Sequence, residues 1–264
     1  MSNNETNNND IVIKFELPQI VNEALVPLAS SIGTTLSTAW KGFTIGIDTW
    51  YGRKKIEQEH NLNLYAEEIQ KQLSSIPEEN IQEPKMNILG PSLEASKYYF
   101  EEEWYRKMFA KLIAGSCDNR NNVKIHPFFV EAIKQMTSLE ARILSSFKKE
   151  LAQPIVNYRF KLKNQLGGVT FIPYVFFLTD EKIDPRKHSQ SIVNLERLGF
   201  IDISFGSFLS DENKYKIFEQ NPTFVSMQRL LKSGGFYPRY SSLDIEKGIL
   251  TLTPLGQSFL DICI

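Results

Sequence analysis

The hydrophobic period of this 264-residue chain changes at Pro154. Before it, apolar residues recur at the three-to-four spacing of helices. After it, Tyr158, Phe160 and Leu162 alternate with Arg159, Lys161 and Lys163. A 3.6-residue period buries one stripe of a helix and a two-residue period buries one face of a strand, so the pattern selects the element. The switch predicts a mainly α fold with a smaller β component. Its parts are a disordered polar tail over 1–17, a helical domain over 18–136 and an α+β domain over 137–264.

Within the helical part, Leu62, Tyr65, Ile69, Leu73 and Ile76 form one stripe that stops at Pro77. The segment IQEPKMNILGP is expected to be extended, because Pro84 and Pro91 each disfavour helix in the residue before them. A helix over 92–114 follows, with Tyr105, Met108, Phe109, Leu112 and Ile113 buried and Glu102–Arg106 and Glu103–Lys107 paired on its surface. Gly115 is its expected C′ residue. Thr137-Ser-Leu-Glu140 is a capping-box pattern opening another helix. Beyond Pro154, VTFIPYVFFL suits a partner strand, 189–198 a helix, 200–205 and 248–253 strands, and Pro254 the first position of a closing helix. Residues 206–247 read as irregular, with a short helix near 222–232.

Composition narrows function mainly by exclusion. Cys117 and Cys263 lie in no metal-ligand spacing, and His60, His126 and His188 are far apart, so no disulfide scaffold, metal site or cofactor is expected. The Asn-rich start is unlike a secretory signal, and the reading is a cytoplasmic protein. Residues 24–40 run without a charge, but six are Ser or Thr, which is too polar and too short for a stable transmembrane segment. Small residues at Ala29, Ser30, Gly33, Ser37, Gly42 and Gly46 instead suit close helix packing, with self-association through 18–50 or an interfacial, membrane-disrupting helix as alternatives.

No GxGxxG, P-loop, HExxH, GxSxG or kinase signature is present. Glu83-Pro84-Lys85 carries the tail of a nuclease ExK motif, which needs an upstream acidic strand to share a metal and which in isolation arises by chance in most chains of this size. Glu101-Glu102-Glu103 reads as a solvated helix face. No catalytic residue is assigned.

Two features could contact nucleic acid. Residues 121–200 carry twelve cations against seven carboxylates, whereas 1–120 carry twelve against seventeen. In that basic stretch Arg159, Lys161 and Lys163 stand about 6.7 Å apart along one strand face, near the step between phosphates. The helix that follows turns Gln190, Asn194 and Arg197 away from Ile192, Leu195 and Leu198, and those residue types can read base edges. The order from 138 onward, with LERLGFI before one strand and ILTLT running into PLGQSFL, is winged-helix-like. A hairpin at 154–178 replaces the expected second helix, and 42 residues separate the two wing strands.

Four phrases carry a family resemblance: Asn87-Ile-Leu-Gly90-Pro91, WYRKMFAKLIAGSCD, Val123-Lys-Ile-His126-Pro127-Phe-Phe129, and Thr137-Ser-Leu-Glu140-Ala141-Arg-Ile-Leu144. In this order the chain resembles the abortive-infection alpha family of bacterial proteins. The resemblance implies antiphage defence in which the infected cell stops growing or dies before progeny emerge. It implies no known chemistry. Gly90, Pro91, His126 and Pro127 fall on its matching positions, where turn and helix-start roles are expected. The reading is a non-enzymatic defence protein acting on an unknown protein or nucleic-acid partner. A DNA-binding winged-helix regulator and a nuclease built from scattered carboxylates are the alternatives.

Overall fold

A computed structural model describes residues 30–51, 55–163, 167–178, 184–233 and 239–264. The tail at 1–17 and the start of the uncharged stretch, through residue 29, lie outside the described residues. The described chain is mainly α, with ten helices and one four-stranded antiparallel sheet.

The first helix, α1 (Ser30–Tyr51), runs unbroken through Gly33, Gly42 and Gly46. It buries Leu36, Trp40 and Phe43 against Tyr65 of α2 (Lys55–Leu73). Gly42, expected to allow a close helix approach, is exposed, and a methyl there would meet nothing within 4 Å.

The IQEPKMNILGP segment is not extended throughout. Helix α3 (Met86–Ser96) begins inside it and contains Pro91. The conflict with proline resolves on two grounds. Gly90 has no Cβ to collide with the proline ring, and the carbonyl that loses its donor belongs to the exposed Asn87. Ile88, Leu89 and Leu93 supply the buried face.

The expected helix over 92–114 is two helices, because residues 97–102 turn the chain before α4 (Glu103–Ser116). The stripe Tyr105, Met108, Phe109, Leu112 and Ile113 is buried as its spacing requires. Glu103–Lys107 pairs. The Arg106 side chain forms no ion pair with the Glu102 carboxylate among the described residues, although its backbone amide bonds to the Glu102 carbonyl at 3.1 Å. Its buried guanidinium donates to the carbonyls of Phe100 and Glu101 (2.8 Å each), so the turn between the helices is closed by an arginine. Gly115 sits inside α4 rather than beyond it. A Cβ there would lie 3.2 Å from Ile262 Cγ2, so the glycine admits the last helix, α10 (Pro254–Cys263), against α4.

Short helices α5 (Phe128–Lys134) and α6 (Ser138–Ser146) follow, the second opened by the Thr137–Glu140 capping box. Then come β1 (Ala152–Leu162), β2 (Gly168–Val175), α7 (Ser189–Arg197), β3 (Ile201–Ser204), α8 (Asn213–Glu219), α9 (Pro222–Lys232) and β4 (Tyr240–Leu252). The span 206–247, expected to be largely irregular, holds two helices and the first half of β4.

Strand order is β2-β1-β4-β3. The two strands named as wings pair antiparallel, with Ile201 opposite Leu252 and Ser204 opposite Ile249. One face of the sheet, through Ile155 and Leu250, joins the core of the helical part. The other face buries Val156, Tyr158, Phe160, Ile172 and Leu243 beneath Tyr215, Phe218, Phe224 and Leu231 of α8 and α9. The main core is continuous on both sides of residue 136. Helix α10 carries Phe259 edge-on to Phe129 of α5 and stacked on Phe200, with ring centroids 5.2 and 4.4 Å away.

Candidate functional site

The β1 alternation turns Asn157, Arg159 and Lys161 away from α8 and α9. Directly across on β4 stand Glu246, Asp244 and Ser242, respectively. Opposed residues of an antiparallel pair share a face, and long side chains also reach the diagonal neighbour. Here Arg159 pairs diagonally with Glu246 and Lys161 with Asp244, each at 2.5 Å. Asn157 adds a 2.8 Å bond to Glu246 and accepts from the Tyr174 amide at 2.9 Å. That last bond holds a bulge where Tyr174 adopts a φ of 52°, a left-handed conformation seldom seen outside glycine.

The result is an open depression of about 400 Å³ with Arg159, Lys161, Asp244 and Glu246 in its lining. Two cations and two carboxylates cancel. Lys163 is exposed at the end of the strand and has no ion pair among the described residues, while its backbone amide bonds to the Arg239 carbonyl at 3.0 Å.

Helix α7 buries Ile192 and Leu195, with Leu198 beneath its end. Gln190 is exposed. Asn194 donates to the Gln135 carbonyl at 2.8 Å and to Glu140 Oε1 at 3.3 Å. Arg197 donates to Gln135 Oε1 at 2.9 Å and to Asn194 Oδ1 at 2.8 Å. Both residues thus tie α7 to the α5–α6 junction. Glu140 caps α6 with one carboxylate oxygen and receives Asn194 with the other. Among the described residues, no hydrogen bond or ion pair joins the α7 set to the β1 set.

The remaining residues of interest are dispersed. Gly90 and Pro91 lie within α3. His126 Nδ1 accepts the Phe128 amide at 3.1 Å, and Pro127 is the N-cap of α5. Glu83 accepts from Thr35 at 3.1 Å while Lys85 reaches the Asn122 carbonyl at 3.4 Å, so these two side chains have separate partners. Cys117 and Cys263 are buried. Burial pushes the Cys117 thiol up to about 12 and Cys263 well above its ordinary value, which disfavours the thiolate at both. Among the described residues, no three His, Cys, Asp or Glu side chains gather as metal ligands, and no helix is long and apolar enough to cross a membrane.

Sequence reasoning missed Arg106, the most informative buried charge. An arginine four residues after a glutamate on an amphipathic helix looks like a surface pair, and no spacing rule shows that the chain turns at 97–102 and offers it two carbonyls.

These features define a mainly α protein with one antiparallel sheet, whose candidate contact residues bond largely within the chain. The abortive infection alpha family model matches residues 57–263, from α2 through the end of α10. The chain belongs to that family. No curated protein and no solved structure matches it.

Proposed function

We propose that this protein serves bacterial antiphage defence by abortive infection, in the cytoplasm, and acts there through contact with another protein rather than as an enzyme. Family membership supports the defence role. The mode of action rests on one observation. Two of the three cations that could track a phosphate backbone are already matched inside the chain, Arg159 by Glu246 and Lys161 by Asp244, which leaves Lys163 alone on that face. Nucleic-acid affinity depends on cations free to replace counterions, and a charge-balanced face offers few. The groups with catalytic potential also have structural work: His126 receives a helix-start amide and both thiols are buried.

A DNA-binding winged-helix reading keeps one support, the pairing of β3 with β4 beside α7. Its helix would have to release Asn194 and Arg197 from Gln135 before they could reach bases.

The deciding experiment expresses the chain in a bacterial host and challenges it with a phage panel, beside a vector control. Fewer plaques together with loss of infected cells is the expected result. Equal plaque counts and equal survival for every phage would overturn the proposal. Filter binding of duplex DNA at two salt concentrations separates the two readings.

A further inference from the structure

Where α1 meets α2 and α3, Trp40 Nε1, Tyr65 OH and Ser92 Oγ are among the buried polar atoms that make no hydrogen bond in the described structure. They come from three different helices, and their residues are 4%, 0% and 0% exposed. Ser96 lies beside the Tyr65 hydroxyl without hydrogen-bond geometry to it, and donates its own proton to the Leu93 carbonyl at 2.8 Å. Burial also pushes the Tyr65 phenol well above its ordinary range, so it stays neutral.

A buried polar group without a partner forfeits its bonds to water, and that loss offsets apolar burial elsewhere in the same contact. Here the burial is that of Leu36, Trp40 and Phe43, with Trp40 and Phe43 ring-packed on Tyr65 at 5.6 and 5.9 Å. The hydrogen bond from Thr35 to Glu83 is exposed and adds little. Undocking α1 would return Trp40 Nε1 to water and uncover the Tyr65 ring on which Trp40 and Phe43 pack. The helix also precedes the region shared with the family, which starts at residue 57.

We infer that α1 is a releasable latch, which leaves α2 and α3 as a unit while the rest of the chain stays folded. The orphaned groups set the latch's strength. Removing them tightens it, and removing the apolar contacts frees it. Release bares the aromatic face of α1 and the groove around Tyr65 together.

Amide hydrogen exchange followed by mass spectrometry tests this on the full chain, comparing residues 34–45 with α4. In the wild type, α1 is expected to exchange at least about 100-fold faster than α4, the mark of a sub-global opening. Trp40→Phe keeps an aromatic ring, though a smaller one, and deletes the unpaired N–H, while Ser92→Ala deletes the unpaired hydroxyl with almost no loss of volume. Each should slow exchange in 34–45 several-fold and leave α4 unchanged, whereas Leu36→Ala should speed it. Exchange of α1 and α4 at one common rate would overturn the inference. So would unchanged α1 exchange in both Trp40→Phe and Ser92→Ala, the result expected if trapped waters already satisfy these groups.

Discussion

Arg106, in the first turn of α4, donates to the carbonyl of Phe100 at 2.8 Å, and both residues are buried. The same guanidinium holds the Glu101 carbonyl, so one cation closes the turn joining α3 to α4. Arg106→Ala would strand those carbonyls and is expected to cost roughly 2–4 kcal/mol, since each loses a charged donor. Glu102→Ala, which a surface i, i+4 pair would make comparable, should cost almost nothing. Urea unfolding of the two variants beside wild type checks the contrast, and equal losses would restore the surface-pair reading.

Phe109 is fully buried at the centre of the α4 stripe. Phe109→Ala should destabilise the protein by roughly 3–5 kcal/mol, the sum of lost transfer energy and the cavity left behind. An unmoved thermal midpoint would show that the stripe faces elsewhere.

Two glycines predict opposite signs. A Cβ at Gly256 would fall 1.9 Å from the Phe200 carbonyl oxygen, a backbone atom that cannot swing aside. Gly256→Ala should therefore cost at least roughly 3 kcal/mol or prevent soluble expression. Gly42 lies mid-helix in open space, and Gly42→Ala should stabilise α1 by roughly 0.5–1 kcal/mol through lower chain entropy. Circular dichroism melts and amide exchange of α1 measure both.

Changing Arg159, Lys161 and Lys163 together to Gln frees Glu246 and Asp244 and should lower stability by no more than about 1 kcal/mol per half-exposed pair. Duplex-DNA binding at physiological salt is expected to be unmeasurable before and after the change. Wild-type binding whose log–log salt slope shrinks by about 0.9 per lost phosphate contact in the triple variant would instead make this strand a nucleic-acid surface.

The Asp118 carboxylate is held below its ordinary range, first by hydrogen bonds from the Arg120 side chain and also by the Arg120 amide. A depressed folded-state value means that the stabilisation is complete above the unfolded carboxylate range, roughly pH 4, and is lost as pH falls through the folded value. Asp118→Asn should therefore be less stable than wild type at neutral pH, and the difference should narrow below about pH 4. A gap independent of pH would assign the effect to the turn geometry instead of the charge.

Local pattern determined a good deal of this protein. The period change at Pro154, the stripe of α4, the Thr137–Glu140 capping box, the proline starting α10 and each family phrase are built from residues close to one another along the chain. That is the range over which helix spacing, strand alternation and capping act. The same local rules failed where exposure and packing, rather than spacing, decided the outcome. Pro91 could enter a helix because Gly90 and an exposed carbonyl relieved it, and Arg106 turned inward toward carbonyls that no spacing rule reveals. The basic face of β1 was legible as alternation. Its neutralisation was not, because Asp244 and Glu246 lie more than eighty residues further along the chain and meet it only through β-register. Charge along a sequence is one-dimensional, whereas the electrostatics of a surface depend on which strands become neighbours, and only the tertiary structure decided that.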